Sequence, residues 1–261
     1  MCSIVRVLRS SCSKTGLAVL ILFVSSVAVA TGQSSQILDG SNGVGLGLYS
    51  ELDGASLSEV GGYAAYSIAG IMDVGGYLAR ESETVGDREG TNTTIGFVYN
   101  VLPVKQQPGM PFSLQLRLNY GLTLVDRDLV VAELQAGTNG VFDDIQSVES
   151  TRSTYTIAAG IMHDIRRGEH LSFRLGAEVA YRVKRATYSA VFTSSDDDDE
   201  DSITEETLGF RETDFYVVPI AGASWRLPDG PILSVQTRVW LNADNALVLR
   251  PELGIVFPHF Q

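Results

Sequence analysis

Residues 111–125 read PFSLQLRLNYGLTLV. Taken alternately, they separate into two sets. Phe112, Leu114, Leu116, Leu118, Tyr120, Leu122 and Leu124 are all apolar, whereas Ser113, Gln115, Arg117, Asn119, Gly121 and Thr123 are polar, charged or without a side chain. A helix would scatter both sets around its circumference; an extended strand sends successive side chains to opposite faces. The stretch is therefore read as an amphipathic β-strand.

The same sorting recurs along the chain. On 171–184 the apolar face is Leu171, Phe173, Leu175, Ala177, Val179, Tyr181 and Val183, and the other face holds Ser172, Arg174, Gly176, Glu178, Ala180, Arg182 and Lys184. On 232–242, Leu233, Val235, Val239 and Leu241 oppose Ser234, Gln236, Arg238 and Trp240; on 247–257, Leu247, Leu249, Leu253, Ile255 and Phe257 oppose Arg250, Glu252 and Gly254. Weaker alternation occupies 43–51, 58–68, 71–81, 92–102, 152–165 and 208–227, with glycine frequent in the first three. The pattern predicts about ten antiparallel strands (eight to twelve), each of about ten residues, the length a tilted strand needs to cross a bilayer.

The first thirty residues carry a different signal. Arg6, Arg9 and Lys14 precede the apolar run Leu17–Ala30, which ends in Ala28-Val29-Ala30. A basic start, a short apolar stretch and a small-x-small ending read as a secretory leader, so residues 1–30 are assigned to a signal peptide and 31–261 to one β domain. Cys2 and Cys12 both fall in the leader. Without disulfides, an exported domain of this size needs a large core or a closed sheet. The leader's three basic residues leave 16 basic against 31 acidic residues in the remainder, a net charge of −15 against −12 for the whole chain. That excess argues against nucleic acid as a partner. No later stretch approaches the run of apolar residues that a membrane helix requires.

Connections alternate in length. Ala69-Gly70, 166–170 (RRGEH) and 228–230 (PDG) are short, and 103–110 is moderate; 82–91, 126–151 and 185–207 are longer. With both termini on the periplasmic side, the long connections fall outside the cell, apart from the short 52–57 and 243–246. Alternation alone leaves open which face points inward. Arg117, Arg174, Glu178, Arg182, Arg238, Arg250 and Glu252 crowd the polar faces, and Phe112, Tyr155, Phe215, Trp225 and Phe257 sit near strand ends on the apolar faces. Charges suit a solvated or salt-bridged lumen, and aromatic residues suit the two membrane interfaces. The expected fold is a closed antiparallel up-and-down transmembrane β-barrel rather than a soluble sandwich.

The last strand resembles the C-terminal assembly signal of bacterial outer-membrane proteins. Glu252, Gly254 and Phe257 match its polar residue, glycine and terminal apolar residue; His259 stands where an apolar residue is usual, and Gln261 follows Phe260. Together with the leader and the strand pattern, the chain is similar to the small outer-membrane β-barrel proteins, by pattern rather than by a diagnostic motif. The resemblance implies a place in the outer membrane, contact with its lipid, and insertion by the barrel assembly machinery through the last strand. Such families include adhesion and resistance proteins, narrow pores and a few enzymes.

The seven lumen candidates have two readings. They line a narrow ion path, or they pair across strands and plug a barrel with little spare room, the state favoured here. The primary functional expectation is a non-enzymatic membrane anchor displaying acidic outer loops, with a narrow pore as its variant. The alternatives are an outer-membrane hydrolase with a rim active site and a soluble periplasmic β-protein. Hydrolase chemistry needs a base within reach of its target; His163, His170 and His259 all fall at the expected inner end, and His163-Asp164, being adjacent, face opposite ways on a strand. No catalytic residue and no cofactor is assigned. The acidic run 196–201 (DDDDED) is read as a self-repelling loop tip, with Ca²⁺ or Mg²⁺ capture as the weaker reading, since it lacks the interleaved glycine of a calcium loop. Gly43-Val44-Gly45-Leu46-Gly47 precedes no helical pattern, so it is read as a strand element and not a phosphate cradle.

Overall fold

The computed structural model describes residues 42–54, 56–137, 145–194, 202–228, 230–242 and 247–258. The leader, the run 196–201 and His259 lie outside these.

Ten strands form one closed sheet: β1 (Gly43–Asp53), β2 (Ser56–Ile68), β3 (Met72–Val85), β4 (Arg88–Val104), β5 (Ser113–Leu124), β6 (Ile145–Arg167), β7 (Leu171–Ser194), β8 (Ser202–Arg226), β9 (Ile232–Asn242) and β10 (Leu247–Pro258). Each pairs antiparallel with its sequence neighbours, and β1 closes the ring on β10, from Gly43 opposite Pro258 to Asp53 opposite Val248. Closure gives every strand a partner on both sides within the ring, which is the requirement for a sheet that crosses a bilayer; the edges of β6 before Arg152 and of β8 before Tyr216 extend beyond it. Helix α1 (Arg127–Gly137) lies between β5 and β6. No helix among the described residues is long and apolar enough to cross a membrane, which bears only on helical spans.

The apolar faces point outward. Leu116, Leu122 and Leu124 of β5, Leu175 and Val179 of β7, Val217 of β8 and Val235 of β9 are exposed, while their alternate neighbours Arg117, Glu178, Val218 and Gln236 are buried inside. Short turns join strands at the end where β1 begins and β10 finishes, called the inner end. Between β2 and β3, Ala69 and Gly70 both take positive φ (51° and 58°) at the centre of a tight turn closed by the Ile71 amide, which donates to the Ile68 carbonyl at 3.0 Å. The Ala69 amide donates to Asn42 Oδ1 at 2.8 Å.

Three strands are far longer than the alternating pattern predicts. β6, β7 and β8 run to 23, 24 and 25 residues, against 11 or 12 for β1, β5, β9 and β10. They absorb much of the expected loops 126–151 and 185–207 and rise beyond the apolar band as a wall. The remainder of 126–151 contains α1, where a loop was expected. The Asp128 amide donates to Asp126 Oδ1 at 3.0 Å, a cap on the helix's free amides. Leu129, Val130 and Leu134 of α1 are buried, with Val130 and Leu134 packing on Tyr188 and Ala190 of β7.

Candidate functional site: a paired charge ladder under an outer vestibule

Alternation turns one residue in two inward on every strand, and the barrel register decides which of them meet. At mid-height, Arg117 of β5 donates from Nη2 to Glu178 Oε2 of β7 at 2.6 Å. Arg238 of β9 approaches the same Glu178 oxygen at 3.8 Å and pairs with Glu252 of β10. Arg250, on β10, lies 3.7 Å from Glu252 and donates to Glu51 of β1 at 2.9 Å. Gln236 donates to Glu252 at 2.8 Å. The result is a ladder of three guanidinium groups and three carboxylates spanning the lumen. Arg117, Glu178, Arg238 and Glu252 are essentially inaccessible, so removing one partner would leave a buried charge uncompensated.

Two of the seven lumen candidates lie apart from this ladder. Arg174 sits nearer the inner end, bidentate on Asp164 at 2.9 and 3.2 Å. Arg182 lies above it, its guanidinium 4.7 Å from the Trp240 ring centre and 5.1 Å from that of Tyr216. Trp240 also receives Arg117 at 5.6 Å, so this one indole separates the ladder below from the space above. Lower on the opposite wall, Ser67 and Asn100 donate to the buried Asp73 carboxylate, Asn100 at 2.8 Å.

Above Trp240 the lumen opens into a vestibule of about 170 Å³. Glu51, Glu59, Glu81 and Glu83 line it from β1, β2 and β3, with Arg250 of β10 beside Glu51; Arg152, Arg182 and Lys184 line it from β6 and β7. None of the four glutamates, nor Arg152, was among the sequence candidates. Tyrosines lie flat on the vestibule wall. Tyr49 covers Gly61, where a Cβ would come within 2.5 Å of its ring, and Tyr77 covers Gly96 and Gly121. A larger residue at Gly61 would force the Tyr49 ring off the wall; one at Gly96 would meet both the Tyr77 ring and the Tyr120 carbonyl oxygen of the paired strand.

The vestibule continues into a rim cleft of about 850 Å³, with which it shares Glu83, Arg152 and Lys184. Val85, Leu134, Ala186, Leu208 and Phe210 give the cleft apolar walls. Arg152 is the latch between the two spaces. It donates to Glu83 at 2.9 Å, to Glu133 of α1 at 3.1 Å and to the Tyr188 hydroxyl at 3.1 Å; Tyr188 in turn donates to Glu133 at 2.6 Å. Burial, then the hydrogen bond to the Glu133 carboxylate, raise the Tyr188 hydroxyl above the ordinary phenol range.

His163 and His170 both lie at the inner end, against the carbonyls of Pro111 and Arg226. No cluster of His, Cys, Asp and Glu able to hold a metal ion occurs among the described residues.

No protein-family model and no curated protein matches the chain. Among solved structures, the attachment invasion locus protein Ail of Yersinia pestis is similar at 8% identity and TM-score 0.35, over 85% of this chain and 100% of that one. The N-terminal β-barrel domain of Pseudomonas aeruginosa OprF is similar at 10% identity and TM-score 0.32, over 84% and 99%. The monoaromatic hydrocarbon channel CymD is similar at 6% identity and TM-score 0.36, over 90% and 95%. These likenesses concern barrel form alone.

Proposed function

We propose that this protein is a non-enzymatic outer-membrane anchor whose barrel is closed to ions and which presents, outside the cell, a wall of β6–β8 braced by α1. The observation that carries the reading is the ladder Arg117–Glu178–Arg238–Glu252–Arg250–Glu51 across the lumen. A ring of charges that lines a path must stay hydrated and available to passing ions; these are buried and spent on each other. The outward apolar band and the aromatic residues Trp225, Phe257 and Phe215 on it support the membrane setting. The leader read in residues 1–30 and the terminal strand with Glu252, Gly254 and Phe257 support export and delivery by the barrel assembly machinery. A rim hydrolase needs a base at the outer end, and His163 and His170 are at the other. The acidic run 196–201 belongs to the connection between β7 and β8, and its display outside is part of the same proposal.

The test is single-channel recording of residues 31–261 refolded into a planar bilayer, with heat-modifiable migration in SDS as the check on folding. Silence is the expected result. Steady, ion-selective steps from the unaltered barrel would overturn the closed reading and make transport the leading function.

A further inference from the structure

Each charge of the ladder has an opposite charge beside it; several of those above it do not. Among the described residues, Glu59, Glu81 and Arg182 enter no ion pair, and Lys184 pairs with Glu212 alone, at 3.6 Å and in contact with solvent. The ring order sets the two acids, Glu59 and Glu81, against the base Arg182. In a ring of ten strands β2 lies five places from β7, so Glu59 and Arg182 sit on walls half a turn apart. Glu81 is opposite Glu59 in the β2–β3 register and extends the acidic side. Tyr49 and Tyr77 add aromatic groups on that side, and the Tyr49 hydroxyl is bonded to Glu59.

The floor supplies a second, independent sign of a ligand. Trp240 is 2% exposed and lines the vestibule, and among the described residues its Nε1 has no hydrogen-bond partner; the Asn119 Oδ1 on the same lining has none among them either. Buried donors and acceptors are rarely left so.

From this geometry we infer that the vestibule is a binding site for a small zwitterion. Its ammonium group lies toward Glu59 and Glu81, and its carboxylate toward the Arg182 guanidinium. A ligand with a single charge satisfies one wall and leaves the other's charge desolvated and unpaired, the situation in which polar sites discriminate most strongly. A volume of about 170 Å³ suits a molecule of amino-acid size, and the rim cleft is its way in. The inference rests on the closed-lumen reading, since the site is a blind pocket only while the ladder seals its floor.

Trp225 and Trp240 are the two tryptophans of the chain, and Trp225 faces outward at 57% exposure. In a W225F background, Trp240 fluorescence therefore reports the vestibule floor. The refolded barrel is titrated with glycine, 4-aminobutanoate and 6-aminohexanoate, by fluorescence and by calorimetry in parallel. At least one of the three is expected to bind saturably. Its N-acetyl and methyl-ester forms are expected to bind about tenfold more weakly or worse, and R182Q and the pair E59Q/E81Q each to lose about tenfold. Absence of binding by all three in calorimetry, equal binding of the blocked forms to the unaltered barrel, or unchanged affinity in the folded variants would overturn the inference. A silent bilayer with no binding refutes the site alone; a conducting one refutes the closed lumen beneath it.

Discussion

Below the level of Arg185, β6–β8 carry Ile157, Ile161, Leu175, Val179 and Val217 outward and Glu178, Arg174 and Val218 inward. Above it the same three strands reverse. Tyr188, Ala190, Val148 and Leu208 turn inward onto Val130 and Leu134 of α1, and Thr187, Ser189 and Thr207 face out, the last two 3.1 Å apart. The change occurs around Tyr155, Tyr181 and Phe215. Tyr181 and Phe215 are in ring contact at 4.9 Å, and the Arg185 guanidinium lies 5.4 Å from the Tyr155 ring centre. A strand has no inside of its own; the surrounding medium decides which face must be apolar. Lipid outside permits a charged lumen, and water outside restores an ordinary apolar core. In the proposed membrane setting the protein is thus two solvent regimes on one continuous sheet.

Substitutions test that division from each side, the largest effect first. Glu178→Ala leaves Arg117 and Arg238 with Glu252 as the remaining nearby carboxylate. The expected loss is about 3–5 kcal/mol in denaturant unfolding of the lipid-reconstituted barrel, whereas replacing Arg117 and Glu178 together by Met and Leu restores most of it. If the single change costs no more than the double, the ladder is not the polar core argued here. In the wall, Leu134→Ala should cost about 2–3 kcal/mol as an ordinary cavity, read as faster hydrogen exchange in α1 and the tops of β6–β8. Exchange in β9 and β10 should not change. A global loss would mean the two regimes unfold as one.

The latch is worth less. Glu133→Ala removes an acceptor from both Arg152 and Tyr188, while Glu83 still holds Arg152. A loss of about 1–2 kcal/mol in local opening of α1 is expected by hydrogen exchange. The smallest effect is on pH. With the Tyr188 pKa raised in the folded state, the latch's contribution is present below the ordinary phenol value of about 10 and is lost as pH climbs through the raised value. Near-ultraviolet titration of Tyr188→Phe against the unaltered protein should show the loss of one late-ionising phenol.

Legibility followed the same boundary. β5, β7, β9 and β10 alternate cleanly in the sequence because lipid on one side and charge on the other impose opposite demands. The upper parts of β6–β8 were invisible as strands, since Ser147, Glu149, Thr151 and Ser153 offer no lipid face to contrast with the inward side. Helix α1 has a cap in Asp126 and an apolar pair in Leu129-Val130, yet eleven residues give too few turns for periodicity to stand out. In the lumen, the ladder members on β5, β7, β9 and β10 could be picked out as inward charges. Glu51, Glu59 and Glu81 could not, because Gly47, Gly61, Gly62, Gly75 and Gly76 interrupt alternation on the first three strands. Pairings such as Arg117 with Glu178 depend on register between strands 61 residues apart, which no local pattern encodes.

Those interrupting glycines have one more consequence. Tyr49 rests on Gly61, and Tyr77 on Gly96 and Gly121. The width of the vestibule is therefore held open by atoms that are missing rather than by atoms that are present. A methyl group added at position 61, where the nearest atoms all belong to the Tyr49 ring, would lever that phenol into the space, removing far more room than the methyl itself occupies. The aperture can be reset in this way through one side chain, with the strand pairing left as it stands.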